Sequence, residues 1–523
     1  MVCSLVGVLA LSSVWGLLVS TSFMVLETLN CWFGLLVVDV VYTTMSLSIF
    51  CVLMGIFLMV IKFSGVYMMS DKGSYAFLYV VSMFVLGMVV FVLFSDVYSV
   101  LVGWEILGVV SFMLIFYYGS VSAKVSSLFT ICMNRVGDLS LIVFCCFWVV
   151  GGFVNEWGFW MFVGVIMCLL TKSAQFPFSV WLPMAMSAPT PVSSLVHSST
   201  LVTAGLILAV VFSFWVEGYF FSACMMFGVF TLALAGVSSL VEADFKKIVA
   251  LSTLFHLGFM SILLGLNCSD VSVAHLIFHG GFKSLLFVSV GMVILLFSHE
   301  QDIRRISGPT GMVFYLVVMV FSVFSLVGVP YFSGAMAKEV ALSAFEMGVY
   351  SVCLYALFLV SLSCSLTYSL RMVLNPLSVL ISTLSGLGAC PSMVWAFVSM
   401  GVFSMVGWGV LAWVAFFTAV SELSISTLVV YYLVALGVYT SSGWVVKNAG
   451  LIKLSVLWSE VVNIVVSGVA VLGTQVEMYV NTSVLTVLPI YSMKMGSLAL
   501  KWYGVVLVSW VVMVMLISGF TCY

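Results

Sequence analysis

The sequence carries very little charge. Only 7% of its 523 residues are Asp, Glu, Lys or Arg, whereas an ordinary soluble domain has roughly 25%. Hydrophobic residues make up 64% of the chain. This composition excludes a soluble protein, which has to cover its surface with polar side chains. Because lipid removes that need, the chain is predicted to be an all-α membrane protein that crosses the bilayer many times.

Other features are also scarce. A net charge of −2 provides neither the basic stripe that nucleic acid requires nor a polybasic anchor for a lipid surface. The thirteen cysteines are scattered without a C-x-x-C pair, a spacing that fits neither a zinc site nor a disulfide framework. Gly-rich phosphate loops, nucleophile elbows and flavin or nicotinamide folds are missing, so any redox chemistry is expected in another chain.

Amino-acid usage gives a further indication of origin. Gln occurs only three times, while residues with U- and G-rich codons dominate, among them 43 Phe and 42 Gly. We interpret this bias as strand-specific mutation in a small organellar genome. The N-terminus has no basic segment, Arg-rich presequence or clear cleavage site, so it is predicted to be a spanning helix. A chain this hydrophobic fits synthesis beside its own membrane.

Apolar runs of spanning length recur from one end of the sequence to the other. They lie near residues 3–23, 36–61, 74–94, 97–118, 127–149, 157–176, 193–214, 221–240, 247–266, 271–297, 311–329, 334–347, 349–373, 394–418, 424–440 and 503–520. A transmembrane helix needs about 20 mostly apolar residues, so we expect about fifteen or sixteen such helices. After residue 440 the character changes: residues 446–502 mix apolar and charged positions, which predicts a long lateral amphipathic helix.

Two places interrupt the apolar pattern. Residues 173–192 hold four of the nine prolines, and GVPYFSGAMAKE at 328–339 places Gly and Pro between two apolar runs. Pro and Gly free backbone groups that lipid cannot satisfy, so such segments must face protein or a wet cavity. Two interruptions in matching positions indicate a transporter with internal repeats. A simple kink in each helix is the alternative.

Charges inside the apolar runs are the most informative residues, because an ionisable side chain at the bilayer centre costs about 3 kcal/mol. The candidates are Glu105, Lys172, His197, His275, His279, Lys283 and Lys338. His275, His279 and Lys283 occur at intervals of four, which places them on one helix face. Burial favours a neutral lysine, a nearby carboxylate favours the charged form, and histidine titrates near neutrality. A row of such groups across a membrane predicts a proton relay.

Several of these residues also have simpler interpretations. His275 and His279 have metal-ligand spacing, but no H-E-x-x-H motif and no third ligand accompany them. Glu105 could instead hydrogen-bond a neighbouring helix. Arg135 and Asp138 are interpreted as a structural ion pair near a helix end.

Three further basic residues have simple structural interpretations. Lys246 and Lys247 follow acidic residues, which is typical of a solvated loop. A lone His256 is more often a satisfied core histidine.

The segment KSAQFPFSVWLPMAMSAPTPVSSLVHSSTLVTAG at 172–205 closely resembles the signature of the NADH dehydrogenase subunit 5 family, the mitochondrially encoded antiporter-like subunits of respiratory complex I. Matching motifs follow in family order: GWE at 103–105, NRVGD at 134–138, DFKKIVALST at 244–253, HLIFHGGFKSLLF at 275–287, EQDIRRISG at 300–308 and GVPYFSGAMAKE at 328–339. The resemblance covers roughly residues 95–340.

The resemblance implies two inverted five-helix repeats, each with a broken helix. The implied organisation is N-terminal transmembrane helices at 1–73, a first antiporter-like repeat at 74–240, a second at 241–373, additional transmembrane helices at 374–445, a lateral amphipathic helix at 446–502 and a C-terminal transmembrane helix at 503–523. The implied location is the mitochondrial inner membrane.

The resemblance also implies roles for the charged residues. Glu105 and Lys172 would form the first charged pair, with His197 on the adjacent helix. A connecting relay on one helix face would consist of His275, His279 and Lys283, and the terminal lysine of the second broken helix would be Lys338. The implied function is proton translocation by a core membrane-arm subunit of NADH:ubiquinone oxidoreductase, driven by quinone reduction elsewhere in the complex.

No cofactor is expected in this chain, because the family's complex binds NADH, FMN, iron–sulfur clusters and ubiquinone in other subunits. The implied partners are other complex I subunits, above all neighbouring antiporter-like subunits contacted by the lateral helix, together with phospholipids. Two rival functions are a subunit of a cation/proton antiporter and a non-transporting subunit that braces the membrane arm.

The sequence departs from the family pattern in three places. Met184 and Ser187 stand in the proline-rich loop where the family often has an acid. His256 stands where the family usually has Gln or another uncharged polar residue, so its role is open. The part before the GWE motif is shorter than usual, which predicts that one span is missing there.

Overall fold

The computed structural model describes residues 28–33, 36–41, 44–71, 73–94, 97–151, 158–212, 219–297, 299–304, 313–329, 332–347, 352–380 and 401. The predicted lateral helix at 446–502 lies outside them. So do the predicted spans at 3–23, 424–440 and 503–520, and all but residue 401 of the span at 394–418. These remain predictions.

The described part is built almost entirely from helices. It begins with an antiparallel hairpin of β1 (Thr28–Phe33) and β2 (Leu36–Val41). The helices that follow are α1 (Thr44–Tyr67), α2 (Ser74–Leu93), α3 (Val97–Phe116), α4 (Val121–Gly151), α5 (Gly158–Lys172), α6 (Trp181–Met184), α7 (Thr190–Phe212), α8 (Tyr219–Val241), α9 (Phe245–Gly265), α10 (Ser269–Leu296), α11 (Val313–Val327), α12 (Ser333–Met347) and α13 (Val352–Leu380).

Nine of the described helices are long and apolar enough to cross a membrane, and α5 and α11 are shorter apolar helices. The prediction of an all-α, multi-pass membrane protein is confirmed. One predicted run was wrong in its first part: within 36–61, residues 36–41 form β2 and the helix begins only at Thr44. The segment LVVDVV is rich in β-branched valine, which packs well on a pleated strand paired with β1.

Two helices are interrupted where Pro and Gly predicted it. Helix α5 is followed by an irregular segment and the short α6, and α11 is followed after five residues by α12. Each interrupted helix is the fourth in a series of five, first from α2 to α7 and then from α8 to α13. The predicted repeat boundary at 240/241 remains a prediction, although this order favours a division within 213–218.

Each first half-helix ends on a residue with left-handed backbone. Ala174 (φ 54°) follows α5, and the amide of Gln175 donates to the carbonyl of Leu170 at 2.9 Å. Gly328 (φ 80°) follows α11, and its amide donates to the carbonyl of Phe324 at 3.0 Å. A left-handed residue turns the chain out of the helix while hydrogen-bonding some of its last carbonyls. At both breaks the first half-helix therefore ends in a defined, hydrogen-bonded backbone conformation.

The centre of the described bundle consists of α7, α9 and α10. Helix α9 is buried except at Lys247 in its first turn, α10 and α7 are buried along most of their lengths, and α2, α3 and α4 are buried on one side. Polar side chains on the three central helices are therefore shielded from lipid.

Helices α8 and α9 approach each other through glycines. A Cβ on Gly228 would lie 2.9 Å from the carbonyl oxygen of Gly258, and a Cβ on Gly258 would lie 3.0 Å from that of Gly228. A Cβ on Gly265 would lie 2.8 Å from the carbonyl oxygen of Phe221. Small residues allow helix backbones to pack closely inside a membrane. We call this contact the glycine seam.

The C-terminal end of α8 is capped by an arginine from α13. The Arg371 guanidinium donates to the carbonyls of Ser239, Leu240 and Glu242, with 3.0 Å between its Nη2 and the Ser239 oxygen. The last carbonyls of a helix have no partner within the helix, and a cation also interacts favourably with the negative end of the helix dipole. One side chain thereby joins two helices that are about 130 residues apart in sequence.

We expect Arg371→Met to destabilise the chain by about 2–3 kcal/mol, because it leaves three carbonyls without their charged donor. Arg371→Lys restores a single charged donor and should recover part of the loss. The measurement is the free energy of unfolding of the chain in bilayer discs. A Met variant as stable as the unmodified chain would show that the carbonyls do not depend on this cap.

Candidate functional site

The first charged group is a chain of four side chains from three helices. Glu105 on α3 pairs with Arg135 on α4, with 2.6 Å between Nη1 and Oε2. Arg135 also lies 3.5 Å from Asp138, one turn further along α4. Asp138 Oδ1 is 3.4 Å from Nζ of Lys172, in the last turn of α5. Charge therefore alternates in sign from the surface to the buried lysine.

Trp104 and Asp138 together surround the buried ammonium of Lys172. The indole N–H of Trp104 donates to Asp138 at 2.7 Å, and Nζ of Lys172 lies 4.6 Å from the centre of the indole ring. Lys172 also donates to the carbonyl of Trp104 at 3.5 Å. A carboxylate, a ring face and a carbonyl replace part of the hydration that burial removes from this cation.

The predicted charged pair of Glu105 and Lys172 is not in direct contact, because Arg135 and Asp138 lie between them. Glu105 is 36% exposed and contacts Arg135, which is 45% exposed, so the alternative of a bond to a neighbouring helix describes it better. The predicted ion pair of Arg135 and Asp138 exists, but as the middle of a longer chain. Sequence spacing could not reveal that α4 lies between the two groups.

His197 lies in a π-turn, Val196–Thr200, within α7. The wider turn is a frequent feature of functional sites in helices. The ring of His197 is fully buried, its edge faces Trp181 at a centroid distance of 6.2 Å, and neither ring nitrogen has a hydrogen-bond partner among the described residues. Trp181 in turn donates to the carbonyl of Thr171 at 2.9 Å, next to Lys172.

The second group lies on α10 and faces α9. His275, His279 and Lys283 are fully buried, as their spacing predicts. Lys283 donates to the hydroxyl of Ser252 on α9 at 2.7 Å. His275 Nε2 lies 3.2 Å from Nδ1 of His256, also on α9. Two helices therefore build this group.

Lys338 begins on the second half of the broken helix and reaches back to the first. Its Nζ donates to the carbonyls of Val327 at 2.6 Å and Leu326 at 3.2 Å, and to the Ser365 hydroxyl at 3.4 Å. These carbonyls belong to the end of α11, where the break leaves them without helical partners. The negative end of a half-helix thus binds the lysine in place of a carboxylate.

Two residues differ from their expected surroundings. Lys246 is not in a solvated loop: it is 5% exposed in the first turn of α9, while Lys247 is half-exposed and pairs with Asp244 at 2.7 Å. His256 is not a lone core histidine, because it contacts the group on α10. Its position three turns into an apolar helix indicated that His256 is buried. Sequence spacing could not show which helix it faces.

The structure places five of the predicted residues in two groups with a gap between them, whereas His197 and Lys338 share no hydrogen bond with either group in the described part of the chain. No hydrogen bond among the described residues connects Lys172 or His197 to His275, His279 or Lys283. Within the described ranges, no three or more His, Cys, Asp or Glu side chains are arranged to hold a metal ion.

The proline-rich loop uses a hydroxyl at one of the positions where an acid was expected. Ser187 lies 2.7 Å from Ser126 of α4, oxygen to oxygen. A neutral contact therefore joins this loop to the helix that carries Asp138.

Comparison with known families identifies the fold that holds these groups. Residues 95–367 match the family model described as "NADH:quinone oxidoreductase/Mrp antiporter, TM". The chain belongs to this family. The matched range includes all seven predicted relay residues, from Glu105 to Lys338. The predicted resemblance is confirmed.

Curated relatives within the NADH:quinone oxidoreductase/Mrp antiporter family are named NADH-ubiquinone oxidoreductase chain 5. The protein from Caenorhabditis elegans is 39% identical over 60% of this chain and 60% of its own length. That from Lumbricus terrestris is 35% identical over 65% and 62%, and that from Anopheles quadrimaculatus 32% over 73% and 69%. The chain thus spans about three fifths of the length of the first two.

Two solved structures share the fold at low sequence identity. The Mrp complex from Dietzia sp. contains a chain that is 20% identical, with a TM-score of 0.67, over 91% of this chain and 60% of that one. An archaeal membrane-bound sulfane sulfur reductase contains a chain that is 16% identical, with a TM-score of 0.62, over 79% and 96%. The antiporter-like fold is confirmed.

We expect Asp138→Asn to destabilise the chain more than Glu105→Gln. Asp138 is buried and holds Lys172, and breaking a buried pair costs about 3–5 kcal/mol. Glu105 lies in a half-exposed pair, for which about 1 kcal/mol or less is usual. Chemical unfolding of the two variants in bilayer discs measures the difference. Equal losses would mean that Lys172 does not depend on Asp138.

Proposed function

We propose that this chain is a core membrane-arm subunit of NADH:ubiquinone oxidoreductase and that it translocates protons through its buried Lys and His residues. Quinone reduction in another part of the complex would drive the transfer. NADH, FMN, iron–sulfur clusters and ubiquinone would be bound by other subunits. The chain would lie in the mitochondrial inner membrane.

One observation carries this proposal: groups that can gain and lose a proton are buried in the central helices, beside two broken helices. Lys172 and Lys338 lie at the breaks, and Lys283 lies between them in chain order. Retaining charged groups at this depth is expensive, so a purely bracing role is disfavoured. The names of the chain 5 relatives and the organellar composition support placement in complex I.

The input step would use the four-member charge chain. Arg135 lies within reach of both Glu105 and Asp138. While Arg135 is held by Glu105, Asp138 is available to stabilise a protonated Lys172. A change in field that moved Arg135 toward Asp138 would weaken the attraction for that proton. Glu105 would therefore act on Lys172 through two intermediates, without direct contact.

A released proton would next pass His197 and the group on α10. Both nitrogens of His197 and of His279 have no protein partner among the described residues, so we propose that ordered water bridges the gap between the groups. Buried water characteristically satisfies such polar atoms. The proton would continue through His275 and Lys283.

The output step would end at Lys338. The carbonyls at the end of α11 stabilise its protonated form, and the break allows α12 to move relative to them. The membrane potential opposes each transferred charge by about 2.3 kcal/mol per 100 mV. Because the row alone cannot overcome this cost, the cycle depends on energy from quinone reduction.

The partners we propose are other complex I subunits, first of all a neighbouring antiporter-like subunit. The half-exposed pair of Glu105 and Arg135 supports this contact. Exposed Val102, Leu139 and Ile142 lie on the same two helices, so the surface combines charge with apolar side chains. Lipid alone would stabilise that ion pair poorly, whereas a polar side chain of a neighbouring subunit could complete it.

The test replaces each late lysine by methionine, which keeps the length and removes the proton site. We expect Lys283→Met and Lys338→Met, in the assembled complex, to lower the protons moved per electron pair by this chain's whole share. Proteoliposomes in which NADH oxidation and proton uptake are recorded together provide the measurement.

Lys247→Met is the matched control, because Lys247 is half-exposed and pairs with Asp244 outside the row. It should leave the ratio of protons to electrons unchanged. Full proton transfer in both late-lysine variants would contradict the proposed relay and favour a subunit that only braces the membrane arm.

A subunit of a cation/proton antiporter is the second candidate, supported by the structural likeness to the chain of the Mrp complex. Purification of the native assembly distinguishes the two. Flavin and iron–sulfur subunits that co-purify with this chain support complex I. An assembly without them, with cation-dependent proton exchange, would support the antiporter.

A further inference from the structure

His256 is the member of the polar row whose role is unassigned. It lies on α9, and its Nδ1 is 3.2 Å from Nε2 of His275 on α10. The two rings are stacked, with centroids 5.4 Å apart and planes inclined by 30°. The ring of His279 is equally close, with a centroid distance of 5.4 Å. Three fully buried imidazoles from two helices therefore form one cluster.

The cluster continues a ladder between antiparallel helices. Ser252, one turn before His256 on α9, accepts a hydrogen bond from Lys283 on α10. The next contact along α9 is that of His256 with His275. Helix α9 thus contributes an acceptor for the lysine and an imidazole for the histidines. Both contacts lie in the buried centre of the described bundle.

The contact has the geometry of an imidazole–imidazole hydrogen bond. One of the facing nitrogens must carry a proton and the other must not. The outer nitrogens, Nε2 of His256 and Nδ1 of His275, have no hydrogen-bond partner among the described residues. Each ring therefore has one nitrogen in the shared bond and one available to exchange a proton.

Such a pair can pass a proton without accumulating charge. A proton that binds Nδ1 of His275 forms an N–H bond there, and the N–H bond at Nε2 of the same ring breaks. That proton forms an N–H bond with Nδ1 of His256, and the N–H bond at Nε2 of His256 breaks and releases a proton. One proton enters, one leaves, and both rings end neutral as the opposite tautomers.

We propose that His256 is a further proton-carrying residue, which exchanges a proton with His275 through the Nδ1···Nε2 hydrogen bond and extends the row from α10 onto α9. The proposal rests on the proposed function, since it presumes proton movement along this row. Two basic side chains lie near the cluster, Lys283 on α10 and Lys338 on α12, and none of the described buried residues there is a carboxylate. Basic neighbours without a carboxylate disfavour a lasting positive charge on either imidazole. The environment therefore favours passing a proton through the pair over holding one on it.

Two variants separate proton transfer from simple positioning. His256→Gln retains a side chain that can hydrogen-bond His275 but cannot relay a proton between two nitrogens. His256→Phe retains the ring stacking and removes both nitrogens. In the assembled complex in proteoliposomes, we expect both variants to lower the protons moved per electron pair, by at most the loss that Lys283→Met causes.

His299→Gln is the matched control, because it makes the same substitution in the chain's exposed histidine outside the row. It should leave the proton ratio unchanged. If Gln retains full transfer while Phe loses it, His256 only positions His275 and the proposal is overturned. Full transfer in both also overturns it, provided that Lys283→Met loses transfer. If Lys283→Met transfers protons fully, the proposed function itself has failed.

A second measurement needs no substitution. In the complex labelled with 15N-histidine, we expect the His256 and His275 nitrogens to show both tautomers in exchange, with a coupling across the shared hydrogen bond. A single fixed tautomer on both rings would overturn the proposal even if every variant failed to assemble.

Discussion

The described helices enclose an excess of basic side chains in a low-dielectric interior, and this excess constrains every contact around them. Four lysines and four histidines are buried there, whereas Asp138 is the only buried carboxylate among the described residues. Desolvation makes it impossible for all these groups to be charged together. Each must be neutral or must be stabilised by a specific local contact. The position of every such contact therefore determines where a proton can remain.

The broken helices supply part of that stabilisation. A carboxylate is one way to hold a buried cation, as Asp138 does for Lys172. At the second break the end of a half-helix takes this role, because its free carbonyls bind Lys338. A neutral carbonyl attracts the ammonium less than a carboxylate does, so this contact stabilises the charged lysine less strongly than an ion pair would. Lipid could not satisfy the carbonyls that the break leaves without helical partners, and Lys338 hydrogen-bonds them instead.

Much of this arrangement could be predicted from the sequence. The need for about 20 apolar residues per span placed most helix ends within a few residues, and Pro and Gly located both breaks. The rarity of charge was enough to single out most of the buried lysines and histidines. Partners could not be predicted, because they depend on which helices are neighbours. For example, the spacing of Glu105 and Lys172 in the sequence does not show that Arg135 and Asp138 lie between them.

The contact of Arg371 and the burial of Lys246 could not be predicted for the same reason. Arg371 caps a helix that ended about 130 residues earlier, and nothing in its local sequence indicates that contact. Lys246 follows acidic residues typical of a loop, yet the bundle packs around the first turn of its helix. In β2, local β-propensity and pairing with β1 prevailed over the apolar pattern that predicted a helix.

The glycine seam has a mechanical consequence for the whole row. Backbone atoms of α8 and α9 approach closely at these glycines, where an added Cβ would meet the backbone of the opposite helix. Arg371 joins the end of α8 to α13 as well. The two contacts hold α8, α9 and α13 together, and the residues of α9 that contact α10 lie on this unit. Displacement of α10 or α12 relative to it would alter the contacts of the row while leaving the glycine seam intact.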